Sequence, residues 1–246
     1  ALSAALDAGV PVFYEPPISH LREAIPEMAD RLLAAKQPTF AHLELGCHPA
    51  VRRAAELIRS GAVGELQSVS IILHAGWGCT EPCDLCLIDR MTCWYVDVLN
   101  RLTGALPDRV LVLDGHGGAE RMHTFGMGVY DYQGVWGIFQ ADVARPGPVS
   151  IQIEAAGREG SLHLDYFSGT LQYLPAPGNP AQAFSEDCAP LLPAADYPAV
   201  REAVSAFLDA VTGKGPGNAE AVAQLNRIGL AAERSKDAGG WAAVEL

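Results

Sequence analysis

The chain has 246 residues, of which 49% are hydrophobic, so it is long enough to bury one large core or two modest ones. Its 29 acidic residues outnumber 17 basic ones, and the resulting net charge of −12, with no Lys/Arg stripe to offset it, excludes nucleic acid as a partner. No run reaches the roughly 18 to 20 apolar residues of a membrane helix and no signal peptide opens the chain, so a cytoplasmic protein without a membrane partner is expected.

The first third of the sequence alternates helical and strand patterns. In chain order these are a small-residue helix (1–8), the strand VPVFYE, a helix (18–35), the strand TFAHLEL and a helix (49–60). Ser19 is placed to cap the second helix, and Pro49 suits the first turn of the third. Strands that alternate with helices at this spacing predict βα units with a parallel sheet.

From residue 65 onward the pattern changes to strand-length runs. These runs are LQSVSIILH, RVLVLDG, GMGVYDY, GVWGIFQADVA, VSIQIEAAG, GSLHLDYF and TLQYL. A helix (88–102) falls between the first two runs, and two more (197–211 and 219–232) close the chain with core-facing stripes. This order predicts a mostly antiparallel sheet packed on one face by helices.

Five stretches, in this order, resemble the Gfo/Idh/MocA oxidoreductases. They are ALDAGVPVFYEPP, HPAVRRAAELIRSGAVGELQSV, WYVDVLNRLTG, IEAAGREGSLHLD and the closing segment from AFLDAVTGKG to WAAVEL. The resemblance implies an α/β protein, with the C-terminal remnant of a Rossmann-like dinucleotide-binding domain (1–48). An α+β substrate-binding and oligomerisation domain with an open sheet (49–246) follows, and its C-terminal helices pack back against the preceding part of the chain. It also implies NAD or NADP as cofactor and a sugar, cyclitol or similar hydroxylated substrate.

The opening of the chain departs from the family pattern. The family's G-x-G-x-x-G turn, which holds a pyrophosphate at a helix N-terminus, is not in this sequence, which begins where a fourth βα unit would begin. Two explanations stay open: a short chain whose Rossmann half is completed by a partner chain, or a missing upstream segment. In the Glu-Lys-Pro motif, Glu15 is retained but Pro16 replaces the lysine, so Glu15 and Pro16 are the cofactor-binding candidates.

The helix of the second domain also departs from the pattern. The family places a catalytic histidine three residues before an aspartate; counting back from Asp97 gives Trp94, and a slip of one residue gives Cys93. Cys93 and Asp97 are therefore catalytic candidates, with Trp94 and Arg90 as substrate-binding candidates. A cysteine can act as a base or nucleophile only where its pKa is lowered.

The stretch GCHPA marks another change, because family members often carry Arg-Phe there. Cys47 and His48 stand at the carboxyl end of a predicted strand, where α/β proteins bind ligands. His48 is a third catalytic candidate and Cys47 a substrate-binding one. A histidine just before a helix also suits a cap.

Four of the six cysteines lie within fifteen residues: Cys79, Cys83, Cys86 and Cys93. Thiolates this close could hold a zinc ion or an iron–sulfur cluster, which is one interpretation. In the other, Cys86 and Cys93 are small core residues on one helical face and Cys79 and Cys83 are loop thiols.

Three functions remain open at this stage. The first is an oxidoreductase of this family with a degenerate nicotinamide site. The others are a non-catalytic accessory subunit of an active homologue, and an enzyme that uses a cysteine or metal site in the same cleft for non-hydride chemistry. A homo-oligomer formed through the sheet is expected, with VSIQIEAAG buried on both faces.

Overall fold

A computed structural model describes residues 2–77, 85–116, 123–188 and 199–245. It begins with helix α1 (Leu2–Ala8), strand β1 (Val12–Tyr14), helix α2 (Ile25–Ala34) and strand β2 (Thr39–Ala41). Strands β1 and β2 pair in parallel, with Phe13 opposite Phe40. This small parallel sheet confirms the predicted βα unit.

The edge of β2 that faces away from β1 is covered by a side chain. The Asn218 Oδ1 atom accepts a hydrogen bond from the Ala41 N–H at 2.8 Å, and its Nδ2 atom donates to the Ala41 carbonyl at 2.8 Å. The Asn218 amide thus makes the two bonds that a neighbouring strand would otherwise make.

Two predicted boundaries in this region were wrong. Helix α2 begins at Ile25, after a single 3-10 turn (Arg22–Ala24), and Pro26 lies in its first turn. Ser19 does not cap α2, because its Oγ accepts from the Leu21 N–H at 3.0 Å in the preceding turn. The predicted strand TFAHLEL ends at Ala41, and residues 44–47 form the short helix α3 (Glu44–Cys47).

The large sheet has nine strands in the order β10-β9-β8-β7-β3-β6-β5-β4-β11. All neighbours are antiparallel except β3 and β6, which are parallel. The strands are β3 (Leu66–His74), β4 (Arg109–His116), β5 (His123–Tyr132), β6 (Val135–Asp142), β7 (Ser150–Gly157), β8 (Gly160–Asp165), β9 (Thr170–Pro175), β10 (Phe184–Asp187) and β11 (Ala242–Ala243). The predicted α/β fold with a mostly antiparallel second sheet is therefore confirmed.

Helices cover one face of the large sheet. They are α4 (Pro49–Arg59), α5 (Leu87–Thr103) and α7 (Ala219–Ala238), whereas α6 (Val200–Val211) packs on the small sheet. On β3, Val69, Ile71 and Leu73 point into this layer and are fully buried, as the alternating pattern predicts. Within the described residues, no helix combines the length and the apolar composition that crossing a membrane requires.

A buried polar cluster joins α5 to α7. Glu233 of α7 is fully buried and accepts hydrogen bonds from the Cys86 N–H and the Arg22 guanidinium. Asp89 hydrogen-bonds to Glu233, and burial together with the charge of Glu233 raises the pKa of Asp89 well above its ordinary value. A hydrogen bond between two carboxyl groups needs one proton, and the raised pKa of Asp89 assigns it to Asp89, which donates to the Glu233 carboxylate.

The other face of the large sheet is divided. On β4, β5 and β6 most of its side chains are apolar: Leu111, Leu113, Phe125, Met127, Val129, Trp136 and Ile138, with Gln140 among them and Ile72 of β3 beside it. On β7 it carries Gln152 and Glu154, which are exposed. Ser150, Gln152 and Glu154 alternate with the buried residues of β7, so this part of the outer face is polar, and the expected burial of VSIQIEAAG on both faces in an oligomer stays a prediction.

Candidate functional site

The carboxyl ends of β1 and β2 bring an acid and an imidazole together. Glu15 follows β1, and His42 follows β2 and continues the ladder, since its N–H donates to the Tyr14 carbonyl at 2.8 Å. The His42 Nδ1 atom lies 2.9 Å from Glu15 Oε2. Because a carboxylate only accepts, Nδ1 carries the proton in this hydrogen bond, which leaves Nε2 as the free position of a neutral ring.

A second acid reaches the other side of the imidazole. The chain turns at Leu43 (φ −106°, ψ 59°) into α3, which places Glu44 Oε2 3.7 Å from His42 Nε2. Trp94 of α5 hydrogen-bonds to the Glu44 carboxylate. Glu15 lies at the mouth of this array with 65% of its side chain exposed, whereas the Glu44 side chain is 10% exposed and lies inside it.

Both inner groups of the array have shifted titrations. Burial raises the pKa of Glu44 to about 7, and the His42 charge opposes this shift only in part. The hydrogen bond to Glu15 raises the pKa of His42, against the opposing effect of burial. A carboxyl group with a pKa of about 7 beside an imidazole whose pKa is raised can act with it as a general acid and base.

Aromatic rings form the wall beside His42. The Phe13 ring centroid lies 5.2 Å from that of His42, and Phe207 of α6 packs on Phe13 at 5.5 Å. Helix α6 thus covers this face of the small sheet with apolar surface, which limits water at the imidazole and strengthens its electrostatic contacts.

The opposite face of the small sheet holds Tyr14 and Cys93. Cys93 is fully buried in α5, where the Asn226 Nδ2 atom lies 3.7 Å from its sulfur. Burial, reinforced by the charges of Asp89 and Asp97, raises the pKa of the Cys93 thiol. A nucleophilic or basic cysteine needs the opposite shift, so this environment disfavours the catalytic role predicted for Cys93.

The remaining catalytic candidates serve local structure. His48 is fully buried and caps α4, with its Nδ1 accepting from the Ala50 N–H at 3.1 Å, and burial lowers its pKa to about 4. Asp97 is buried and pairs with Arg101, whose Nε lies 2.6 Å from Oδ2. The cap agrees with the alternative interpretation of His48, Asp97 is held in a local ion pair, and neither residue meets His42.

The cofactor- and substrate-binding candidates are distributed around the array. Glu15, the buried Pro16 and Trp94 lie in it or next to it, and the Pro16–Pro17 peptide bond is cis. Arg90 is half-buried on α5, one turn before Trp94. Cys47, the last residue of α3, is buried and hydrogen-bonds to Arg52.

The proposed metal site can be followed only in part. Cys79 and Cys83 lie outside the described residues. Cys86 is the N-cap of α5, its sulfur accepting from the Asp89 N–H at 3.4 Å, and Cys93 lies in the core. Within the parts of the chain that the structure describes, no three His, Cys, Asp or Glu side chains converge as a metal site would require. Zinc or an iron–sulfur cluster therefore stays a prediction without structural support.

His42 and Glu44 were missed by the sequence reasoning. Both were predicted to belong to one continuing strand, TFAHLEL. The available signal was a histidine and a glutamate just past a short apolar strand of a parallel unit, which is where such folds place ligand-binding residues.

Solved structures with a similar fold include oxidoreductases. An NAD-binding oxidoreductase from Klebsiella pneumoniae matches with a TM-score of 0.81 at 18% identity, over 100% of this chain and 76% of that chain. A levoglucosan dehydrogenase in complex with NADH and levoglucosan matches with a TM-score of 0.78 at 19% identity, over 100% and 77%. An oxidoreductase from Agrobacterium radiobacter in complex with NAD+, L-tartaric acid and magnesium matches with a TM-score of 0.77 at 16% identity, over 99% and 75%.

No protein-family model and no curated protein sequence matches the chain. The resemblance to the Gfo/Idh/MocA oxidoreductases is thus confirmed at the level of the fold.

Proposed function

We propose that this protein is an NAD(P)-linked oxidoreductase for a small hydroxylated molecule, of the sugar or cyclitol type, in which His42 transfers the proton. The observation that carries the proposal is the imidazole of His42 held between Glu15 and Glu44 at the carboxyl ends of two parallel strands. Ligands of open α/β sheets bind at this edge. Solved neighbours of the same fold include complexes with NAD+ and NADH.

His42 replaces two groups that the family resemblance leads one to expect. Pro16 stands where a lysine is expected and has no proton to transfer. Trp94 stands where a histidine is expected, and its indole N–H is bonded to Glu44. The only imidazole in the array therefore comes from the end of β2 instead of from α5.

The proton step follows from the hydrogen bonds of the ring. Glu15 fixes the Nδ1–H tautomer, so Nε2 is the atom that accepts the proton of a substrate hydroxyl. The imidazolium that forms lies between two carboxyl groups, and their negative charge stabilises it. In the reverse direction the same atom returns the proton to a carbonyl oxygen.

The residues of this chain fit one end of a dinucleotide. His42 Nε2 and Glu44 Oε2 are buried polar atoms without a hydrogen-bond partner among the described residues, and both lie at the carboxyl end of β2. They suit the ribose and carboxamide of a nicotinamide and the substrate hydroxyl. The sequence has no G-x-G-x-x-G turn for the pyrophosphate. When bound, the nicotinamide accepts or gives the hydride.

The test is binding and turnover with matched histidine variants. NAD(H) and NADP(H) are titrated by fluorescence, and a panel of sugars and cyclitols is assayed for reduction of the cofactor. His42→Gln is expected to lower kcat/KM by about 10²- to 10⁴-fold, as loss of a general base does. His163→Gln is the control, because His163 also lies beside a carboxylate, 3.8 Å from Glu154, but on the outer face of the sheet.

An equal loss in both variants would contradict the role of His42. Absence of nicotinamide binding and of turnover would instead favour an accessory subunit that pairs with an active homologue. Turnover that depends on Cys93 and not on His42 would favour cysteine chemistry.

We also propose that the protein forms a homo-oligomer through the apolar half of its sheet. The side chains on β4, β5 and β6 form an apolar patch, and patches of this kind are typical of subunit interfaces. Leu113→Glu on this half is expected to shift the mass in light scattering toward the monomer. Leu174→Glu on β9, at 46% exposure against 55% for Leu113, is the matched control on the polar half.

A further inference from the structure

A cleft lined by arginines lies between α4 and α5. Its volume is about 660 Å³, which is in the range of small-molecule sites. Its polar lining consists of three arginines, two acids and an amide: Arg52, Arg59, Arg101, Glu56, Asp97 and Asn100. No residue of the Glu15–His42–Glu44–Trp94 array lines it.

The floor of the cleft is built on a close approach of α3 to α5. Gly46 of α3 lies so near the Asp97–Arg101 pair that a Cβ atom there would be 2.2 Å from Asp97 Oδ2. Asp97 holds Arg101 through Nε alone, and the Arg101 side chain is 44% exposed. Its terminal nitrogens are therefore fixed in direction and remain available to a ligand.

Two further guanidinium groups on α4 lack an acidic partner. Arg52 and Arg59 are seven residues apart, two helical turns or about 10 Å along the same face. Among the described residues, neither has a carboxylate within 4.0 Å, although acidic residues outnumber basic ones 29 to 17 in the chain. Glu56, which lines the cleft, lies 3.6 Å from Arg53, which does not line it.

The remaining lining residues suit an organic molecule. The hydroxyl of Tyr132 donates to Asn100 Oδ1 at 2.7 Å, which fixes the Asn100 amide and leaves its NH₂ group as a donor. Val51, Ala55 and Leu106 supply apolar wall. Guanidinium groups match carboxylate and phosphate oxygens in pairs, and an apolar wall covers a carbon skeleton.

We propose that this cleft binds a small organic anion that carries at least two carboxylate or phosphate groups. Arg52 and Arg59 bind the anionic groups, while Arg101 and the Asn100 amide orient the molecule from the floor. The cleft is a binding site separate from the proton-transferring array, and its test needs no nicotinamide.

Isothermal titration calorimetry at constant ionic strength tests the proposal, with citrate as the carboxylate probe and pyrophosphate as the phosphate probe. Arg59→Gln and Arg52→Gln are each expected to weaken binding by about 10-fold or more, since each removes a charge-assisted pair. Arg158→Gln is the control, because Arg158 is an exposed arginine paired with Glu65 at 2.9 Å and does not line the cleft. It is expected to bind like the unmodified protein.

Failure to bind either probe would overturn the proposal, as would equal weakening by Arg158→Gln, which would indicate a general effect of charge. Thermal unfolding of each variant without probe checks that the fold is retained. Preference for citrate or for pyrophosphate then identifies the anionic group.

Discussion

The Nε2 atom of His42 lies 3.7 Å from Oε2 of Glu44, and neither atom has a hydrogen-bond partner among the described residues. This distance is too long for a direct hydrogen bond and short enough for strong coupling of the two charges. The two groups therefore titrate together, and a molecule with one hydroxyl group could satisfy both atoms at once.

The free energy of unfolding should depend on pH because of the shifted pKa of Glu44. The pKa of Glu44 in the folded protein is about 7, above its ordinary value of 4.5. Folding therefore takes up a proton between these two pH values. The stabilisation that this group contributes is complete below pH 4.5 and is lost as the pH rises through 7. The loss amounts to up to about 3 kcal/mol. In Glu44→Gln this step should be absent. Urea denaturation of both proteins between pH 4 and 8 measures it, and parallel curves would contradict the assignment.

The buried acids of α5 and α7 should respond in opposite directions to substitution. Asp89→Asn keeps a donor toward Glu233 and removes the need to protonate a carboxyl group at pH 7, so the free energy of unfolding should rise by about 1 kcal/mol. Glu233→Gln weakens the acceptor of the Arg22 and Cys86 bonds and should cost about 3 kcal/mol. Chemical denaturation at pH 7 compares the two. If Asp89→Asn lowered the free energy of unfolding more than Glu233→Gln does, Asp89 would be the ionised partner of the pair.

Gly46 should not tolerate a side chain. In Gly46→Ala the new Cβ would lie 2.3 Å from Arg101 Nε, so α3 or the Asp97–Arg101 pair must shift, at a cost of about 2 kcal/mol. Gly240→Ala is the control, since nothing lies within 4 Å of its Cβ position. It should change the thermal midpoint little. Equal changes in the thermal midpoint for Gly46→Ala and Gly240→Ala would contradict the close approach of α3 to α5.

Asn218 should protect the edge of β2. Removing its two hydrogen bonds to Ala41 in Asn218→Ala should cost about 2 kcal/mol and speed hydrogen exchange at the Ala41 amide. Asn179→Ala, which removes an amide bonded to the Glu159 carbonyl instead, should leave that exchange rate unchanged. Slow exchange in Asn218→Ala would mean that another group covers this edge.

The strands of the large sheet could be predicted from the sequence because each has a local signal. Alternation places Val69, Ile71 and Leu73 on the buried face wherever β3 lies in the sheet. The exit of α2 and the start of α5 were close to their expected positions for similar local reasons. The order of the strands and the parallel pairing of β3 with β6 depend on contacts distant in the chain, and no local pattern encodes them.

The candidate site was harder to predict for the same reason. Glu15 and Trp94 were found through the family resemblance, but their neighbours His42 and Glu44 meet them only because β1 pairs in parallel with β2 and because the chain turns at Leu43. The backbone angles of one residue decide whether Glu44 continues a strand or turns inward. Cys93, His48 and Asp97 carry chemistry-bearing groups, yet burial and local bonds shape their environment, and composition does not reveal burial.

The parallel pairing of β3 with β6 also sets the order in which the sheet can assemble. β3 is the first strand of the large sheet to leave the ribosome, and both of its described partners, β6 and β7, begin only at Val135 and Ser150. Until then the apolar side of β3 has only helices to pack against, and the hairpin of β4 and β5 forms on its own. Closing that long loop is slow relative to hairpin formation. The central strand, although made first, must therefore wait for β6 and β7 before it gains a neighbour, and α5 is the helix that packs on it before they appear.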